Sequence, residues 1–171
     1  MTGLHLDWTP GKGGLVAELP TDVALPDLEP PADPDARPVQ RLHVTLLARA
    51  SMAPLVPVLG PSWARLRPTL PAIGLPRFVG PLRRATRAPH PTKDLPAVTR
   101  DRITWFITVQ NPQPLRSALA ALVRALDAES QSRGGPAFPH PEPDRFFHVS
   151  LYNNRGGDPH RSIGDIRADE S

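Results

Sequence analysis

Leu42-His43-Val44-Thr45-Leu46 and Phe147-His148-Val149-Ser150-Leu151 agree in chemical type at every position and in identity at three. Each lies in a run rich in β-branched and apolar residues: Arg41 to Ala48, bounded by Pro38 and Ser51, and Arg145 to Tyr152, which follows a Gly- and Pro-rich stretch. Such runs predict strands. Side chains alternate across a strand with a period of two, so His43 and Thr45 should emerge on one face and Leu42, Val44 and Leu46 on the other. The second copy should do the same, with His148 and Ser150 opposite Phe147, Val149 and Leu151. Each strand then offers an apolar face to a core and an imidazole beside a hydroxyl. Leu47 and Tyr152 would extend the two polar faces, and Tyr152 would bring an aromatic surface next to the second pair.

Working outward, Gly14 to Leu19 reads as a strand that ends at Pro20, and the proline-laden, acidic stretch to Pro38 reads as a loop. From Ser51 to Ile73, apolar residues recur at near-helical spacing, yet five prolines forbid one continuous helix, so short helical pieces are expected. Arg77 to Thr86 suits a strand, followed by a loop to Val98. Arg102 to Gln110 has the β-branched and aromatic content of another strand. A helix capped by Asn111 or Gln113 should follow, with Leu115, Ala118, Leu119, Leu122, Val123 and Leu126 as its apolar stripe. Ser130 to Pro143 reads as a loop. The last stretch, residues 153–171, reads as loop with a loosely ordered C-terminus. A length of 171 residues suits one domain, 1–171.

Composition removes several function classes. There is no Cys, which excludes disulfides, Cys-based zinc sites and a thiol nucleophile. No run of about 18 apolar residues is present and the amino terminus lacks a signal-peptide pattern, which predicts an unsecreted, cytoplasmic protein outside the membrane; a monomer is expected. The formal charge of +3 is mild. Nearly all the basic residues are Arg, whose planar fork suits phosphate, although a GC-rich genome would produce the same bias. No P-loop, GxGxxG or GxSxG pattern occurs. His5, His140 and His160 have no neighbours at metal-ligand spacing, so neither a metal nor another cofactor is expected.

A His-any-Ser/Thr triplet is weak alone, and His90-Thr92 and His160-Ser162 also satisfy it, in Pro- and Gly-rich settings without apolar flanks. Matched strand context is what separates His43 and His148. With an ordinary pKa of about 6.5, one imidazole can accept a proton at neutral pH while another donates one. Phosphodiester cleavage needs that division, together with donors on the non-bridging oxygens, which Thr45 and Ser150 could supply. Arg145 and Arg155 flank the second copy, where each could meet a phosphate or simply be solvated. Trp63, Trp105 and Phe106 read as core.

In these two motifs the chain resembles the two-histidine (2H) phosphoesterases, whose signature is a pair of H-x-[ST]-hydrophobic motifs on strands of two pseudo-symmetric halves. His43-Val44-Thr45-Leu46 and His148-Val149-Ser150-Leu151 match both. The resemblance implies an α+β fold of two lobes of mainly antiparallel sheet flanked by helices, with a central cleft where the motifs meet. It also implies a metal-independent phosphodiesterase acting on 2′,3′-cyclic phosphates or related RNA-end phosphodiesters. His43 and His148 would be the acid and base, Thr45 and Ser150 would bind phosphate, and Tyr152, Arg145 and Arg155 would be further substrate contacts. The partner would be an RNA end or a nucleotide. Two alternatives stand beside it: a module that binds such ends without turnover, and a structural domain in which the repeat is coincidence.

Overall fold

A computed structural model describes residues 3–138 and 145–170. Part of the expected Ser130–Pro143 loop, residues 139–143 with His140, lies outside the described residues, as do Met1, Thr2 and Ser171 at the ends of the expected domain. The chain is α+β, with seven mostly antiparallel strands and one long helix among the described residues. It forms two compact units, each built from three segments. No described helix is long and apolar enough to cross a membrane.

The first unit comprises Met1–Leu19, Val44–Pro76 and Asn111–Phe147. Strand β1 (His5–Asp7) pairs antiparallel with β2 (Leu15–Glu18), and β2 neighbours β4 (His43–Leu47), whose first residue belongs to the other unit. Gly14 makes that approach possible, because a Cβ there would lie 2.1 Å from the Leu47 carbonyl oxygen. The next stretch is a series of short turns, α1 (Arg49–Met52), α2 (Val56–Leu59) and α3 (Trp63–Leu66), joined and followed by 3₁₀ turns, with a proline in the first two positions of α2 and of each 3₁₀ turn. A proline there gives up no helical hydrogen bond, so the right-handed path persists to Thr69 and stops at Leu70, extended before Pro71. Met52, Leu55, Leu59, Trp63 and Leu66 are buried from this path, and Trp63 meets Trp8 edge-on at 5.2 Å. Helix α4 (Gln113–Ser132) buries Leu115, Leu119, Leu122, Val123 and Leu126, as its stripe predicts. It runs past the expected end into the Ser130 loop, where Ser130 Oγ donates to the Pro136 carbonyl.

The second unit comprises Pro20–His43, Arg77–Gln110 and His148–Ser171. Here β6 (Arg102–Val109) lies between β5 (Phe78–Arg87) and β7 (His148–Asn153), all antiparallel, and the two-residue β3 (Arg37–Pro38) pairs with the end of β7. Residues 103–107 of β6 are buried on both faces, which explains their unbroken apolar and β-branched character.

At the end of β7 the carboxamide of Asn153 has no exposure and uses its whole hydrogen-bonding capacity. Nδ2 donates to the Asp158 carbonyl at 2.8 Å and to Ser162 Oγ at 3.0 Å, while Oδ1 accepts from the Arg155 and Gly157 amides, both at 2.9 Å. Gly157, at φ +76°, is pressed so near Pro38 that a Cβ would lie 2.1 Å from its carbonyl oxygen. Residues 153–162 thus form a tightly bonded turn. Asn153→Ala would strand buried donors and an acceptor and should cost about 2–4 kcal/mol in urea unfolding. Asn111→Ala, which removes only the side-chain oxygen that accepts from the Gln113 amide at the helix start, should cost about 1 kcal/mol or less.

Candidate functional site

Residues that face each other across an antiparallel pair share one side of the sheet, so the register assigns sides. Phe106 faces Ser150 and Thr108 faces His148; on the other edge, Arg83 faces Phe106 and Val79 faces Thr108. One side of the second unit's sheet therefore carries Arg83, Phe106 and Ser150 in one row, with Val79, Thr108 and His148 in the next. The His148 imidazole is 8% exposed and meets the Phe106 ring edge-on, with centroids 5.6 Å apart. The Arg83 guanidinium carbon lies 5.4 Å from the centre of the same ring. Phe106 is core, as expected, and it also contacts both the imidazole and the cation. A delocalised cation over an aromatic face contributes about 0.5–1 kcal/mol.

The register slips by one residue between Trp105 and Phe106: Ser150 faces Phe106, but Tyr152 faces Trp105, with Leu151 as the extra residue. Trp105 and Phe106 point to opposite sides, so Tyr152 lies on the side opposite Ser150. The expected continuation of the His148–Ser150 face by Tyr152 is corrected by this bulge, which a period-two reading has no means to register.

The first copy of the repeat keeps its alternation. His43 and Thr45 are half-buried, Val44 and Leu46 are buried, and Leu47, expected on the polar side, is buried as well. His43 Nδ1 lies 3.3 Å from the Arg41 carbonyl oxygen. A carbonyl only accepts, so Nδ1 carries the hydrogen, and in the neutral ring Nε2 then holds the lone pair. The two imidazoles and Ser150 belong to the second unit; Thr45, two residues along the strand from His43, belongs to the first. There its carbonyl accepts from Arg145 Nε at 3.1 Å. Arg145 thus fastens the backbone of β4.

Arg155 is not the solvated or phosphate-facing group its position suggests. Its side chain is 8% exposed, and Nε donates at 2.8 Å to Asp94, itself 2% exposed. Nη2 donates at 2.7 Å to the Arg100 carbonyl. The pair ties the 90–101 loop to the turn after β7. His90 and His160 both lie in turns, His90 Nδ1 accepting from the Thr92 and Lys93 amides.

Sequence reasoning missed the arginines on the His148 side. Arg83 donates to the Ala168 and Glu170 carbonyls, and Arg87 holds the Glu170 carboxylate with two nitrogens, Nη2 at 2.9 Å. The Arg167 amide donates to the same carboxylate at 2.8 Å. Ile163, fully buried, donates its amide to Thr104 Oγ1 at 2.9 Å, and Ile166 is 6% exposed. The expected loose C-terminus is thus, over 163–170, laid along this side of the sheet. The detectable signal was the strand itself, which puts Arg83 and Arg87 on one face.

Bonding to Arg155, against the opposing effect of burial, holds the Asp94 carboxyl below its ordinary pKa, and Arg87 does the same for Glu170. In return Glu170 raises the pKa of Arg87. Among the described residues no three His, Asp or Glu side chains gather as a metal site.

The chain was compared with family models, curated proteins and solved structures, and none matches it.

Both carboxyls are depressed when folded, so each adds stability that is present above its unfolded pKa, about 4, and lost as pH falls through the folded value. Urea unfolding should therefore show stability falling below about pH 4. Asp94→Asn should lower stability at neutral pH by about 3–5 kcal/mol and make the acid loss shallower. An unchanged acid slope would show that the pair contributes nothing to it.

Proposed function

We propose that this chain is a metal-independent phosphodiesterase of the two-histidine type, acting on 2′,3′-cyclic phosphates or related RNA-end phosphodiesters. One observation carries the reading. The two copies of the repeat both form strands that begin on their histidine, β4 and β7, and both imidazoles fall within one compact unit.

The local geometry supports distinct roles. His43, with Nδ1–H on the Arg41 carbonyl, accepts through Nε2 the proton of the attacking water. His148 gives a proton to the ribose oxygen that leaves as its bond to phosphorus breaks. Water has then added to phosphorus, and solvent returns the two rings to their starting states. Ser150, on the same side of β7 as His148, donates its hydroxyl hydrogen to a non-bridging oxygen as charge builds there. Arg83, in the Ser150 row, adds a positive charge on that side of the sheet. The acid, the base and the oxyanion donor in this scheme are all side chains of the chain itself.

In EDTA, hydrolysis of a 2′,3′-cyclic nucleotide should persist undiminished. His43→Ala and His148→Ala should each lower kcat/KM by about 10²–10⁴-fold, and Ser150→Ala by about 10²-fold, with melting temperatures tracked to separate chemistry from folding. Activity that ignores both histidine changes would end the proposal. Ligand-dependent stabilisation with no product would assign the site to binding alone.

A further inference from the structure

The 163–170 segment lies on the side of the sheet that carries His148 and Ser150, and it is held there in two different ways. At its inner end Ile163 is fully buried with its amide on Thr104 Oγ1, next to Ser162 on the Asn153 carboxamide. Beyond Gly164, Ile166 is buried and the remaining fastening is ionic and partly wet. The Arg87 side chain is 25% exposed, Glu170 18% and Asp165 74%, and the Arg87–Asp165 contact is 3.5 Å long. The exposed Arg87–Asp165 contact contributes little, and at the part-buried Arg87–Glu170 pair another anion competes for the same guanidinium donors.

Arg83 and Arg87 stand four residues apart on β5, about 13 Å along the strand, yet both forks turn to one residue. Arg83 reaches the carbonyl of Glu170 and Arg87 its carboxylate. The carboxylate is gripped by two guanidinium nitrogens and a backbone amide, a donor set equally suited to phosphate oxygens. Arg83 donates here to neutral carbonyl oxygens, and a charged phosphate oxygen accepts from guanidinium about twice as strongly.

We infer that Arg83 and Arg87 form an anion subsite for the backbone phosphates of a single-stranded oligoribonucleotide, and that the 163–170 segment occupies it with the Glu170 carboxylate until such a ligand displaces it. The choice of oligoribonucleotide rests on the phosphodiesterase reading above: with a terminal phosphate at Ser150 and His148, the next phosphates of the chain run along the same sheet face toward Arg83 and Arg87. Displacement peels residues 167–170 from the sheet and leaves the buried Ile163 and Ile166 in place. A mononucleotide has no second phosphate to place there and gains nothing from it.

The test is fluorescence anisotropy on the full chain with a labelled oligouridylate bearing a 3′-phosphate. Uridine 3′-phosphate serves as competitor without further phosphates, and an oligoglutamate as a polyanion of different shape. Glu170→Gln should bind the oligouridylate about tenfold tighter than wild type, adding Arg87→Gln should abolish the gain, and uridine 3′-phosphate should be unaffected by either. No tightening in a folded Glu170→Gln protein, or oligoglutamate binding as well as oligouridylate, overturns the proposal. Should the variant fail to fold, hydrogen exchange in wild type decides. Saturating oligouridylate should speed exchange of the Arg167 amide and leave that of Ile163 protected; unchanged or greater protection at Arg167 overturns it. Binding is read without turnover, so tightening in a protein inactive on cyclic phosphates would remove the phosphodiesterase and keep the subsite. Activity without tightening would do the reverse.

Discussion

A carboxamide shut away from water must satisfy all four of its hydrogen-bonding positions inside the protein, and Asn153 does so with partners drawn from a single short turn. The rest of the second unit's chemistry depends on that arrangement. It ends β7, so the strand bearing His148 and Ser150 has a defined terminus. It draws Arg155 inward, where the guanidinium meets Asp94 instead of solvent. It also sets the direction in which the chain leaves, by way of Ser162 to Ile163, onto the side of the sheet that carries the imidazole.

That side of the sheet gathers groups from three strands into adjoining rows. Phe106 links them, its ring contacting the His148 edge and lying beneath the Arg83 guanidinium. An aromatic surface between an imidazole and a cation restricts both without hydrogen-bonding to either, which leaves their polar atoms for other partners. The Leu151 bulge gives the site its other boundary. By turning Tyr152 to the Trp105 side it leaves Ser150 and Asn153 as the last β7 side chains on the His148 face.

Much of the fold was legible from local patterning. The strands at β4, β5, β6 and β7, the stripe of α4 and the broken helical path from Arg49 to Thr69 all follow from spacing, branching at Cβ and the positions of proline. Those signals act between near neighbours in the chain, and here tertiary packing reinforced them. The departures have equally physical causes. β1 and β3 are two or three residues long and exist because a partner strand accepts their backbone hydrogen bonds; nothing local demands them. Helix α4 outlasts its apolar stripe because residues of the following loop bond back to its last turns, the Phe138 amide to Asp127 and the Pro136 carbonyl to Ser130.

By itself the sequence determined that two matched strands each carry an imidazole one residue removed from a hydroxyl, since alternation along a strand is a property of backbone geometry. It determined too that the chemistry has no thiol to draw on. The fates of the arginines were decided only by the tertiary structure. Arg155 became a buried structural ion, Arg145 a brace on β4, and Arg83 and Arg87 cations on the imidazole side, because whether a guanidinium meets water, a carboxylate or a ring depends on segments far away in the chain. The course of the 163–170 segment belongs to the same class. A short polar stretch has no pattern of its own, and it takes its path from the arginines and the buried threonine that a distant part of the chain presents to it.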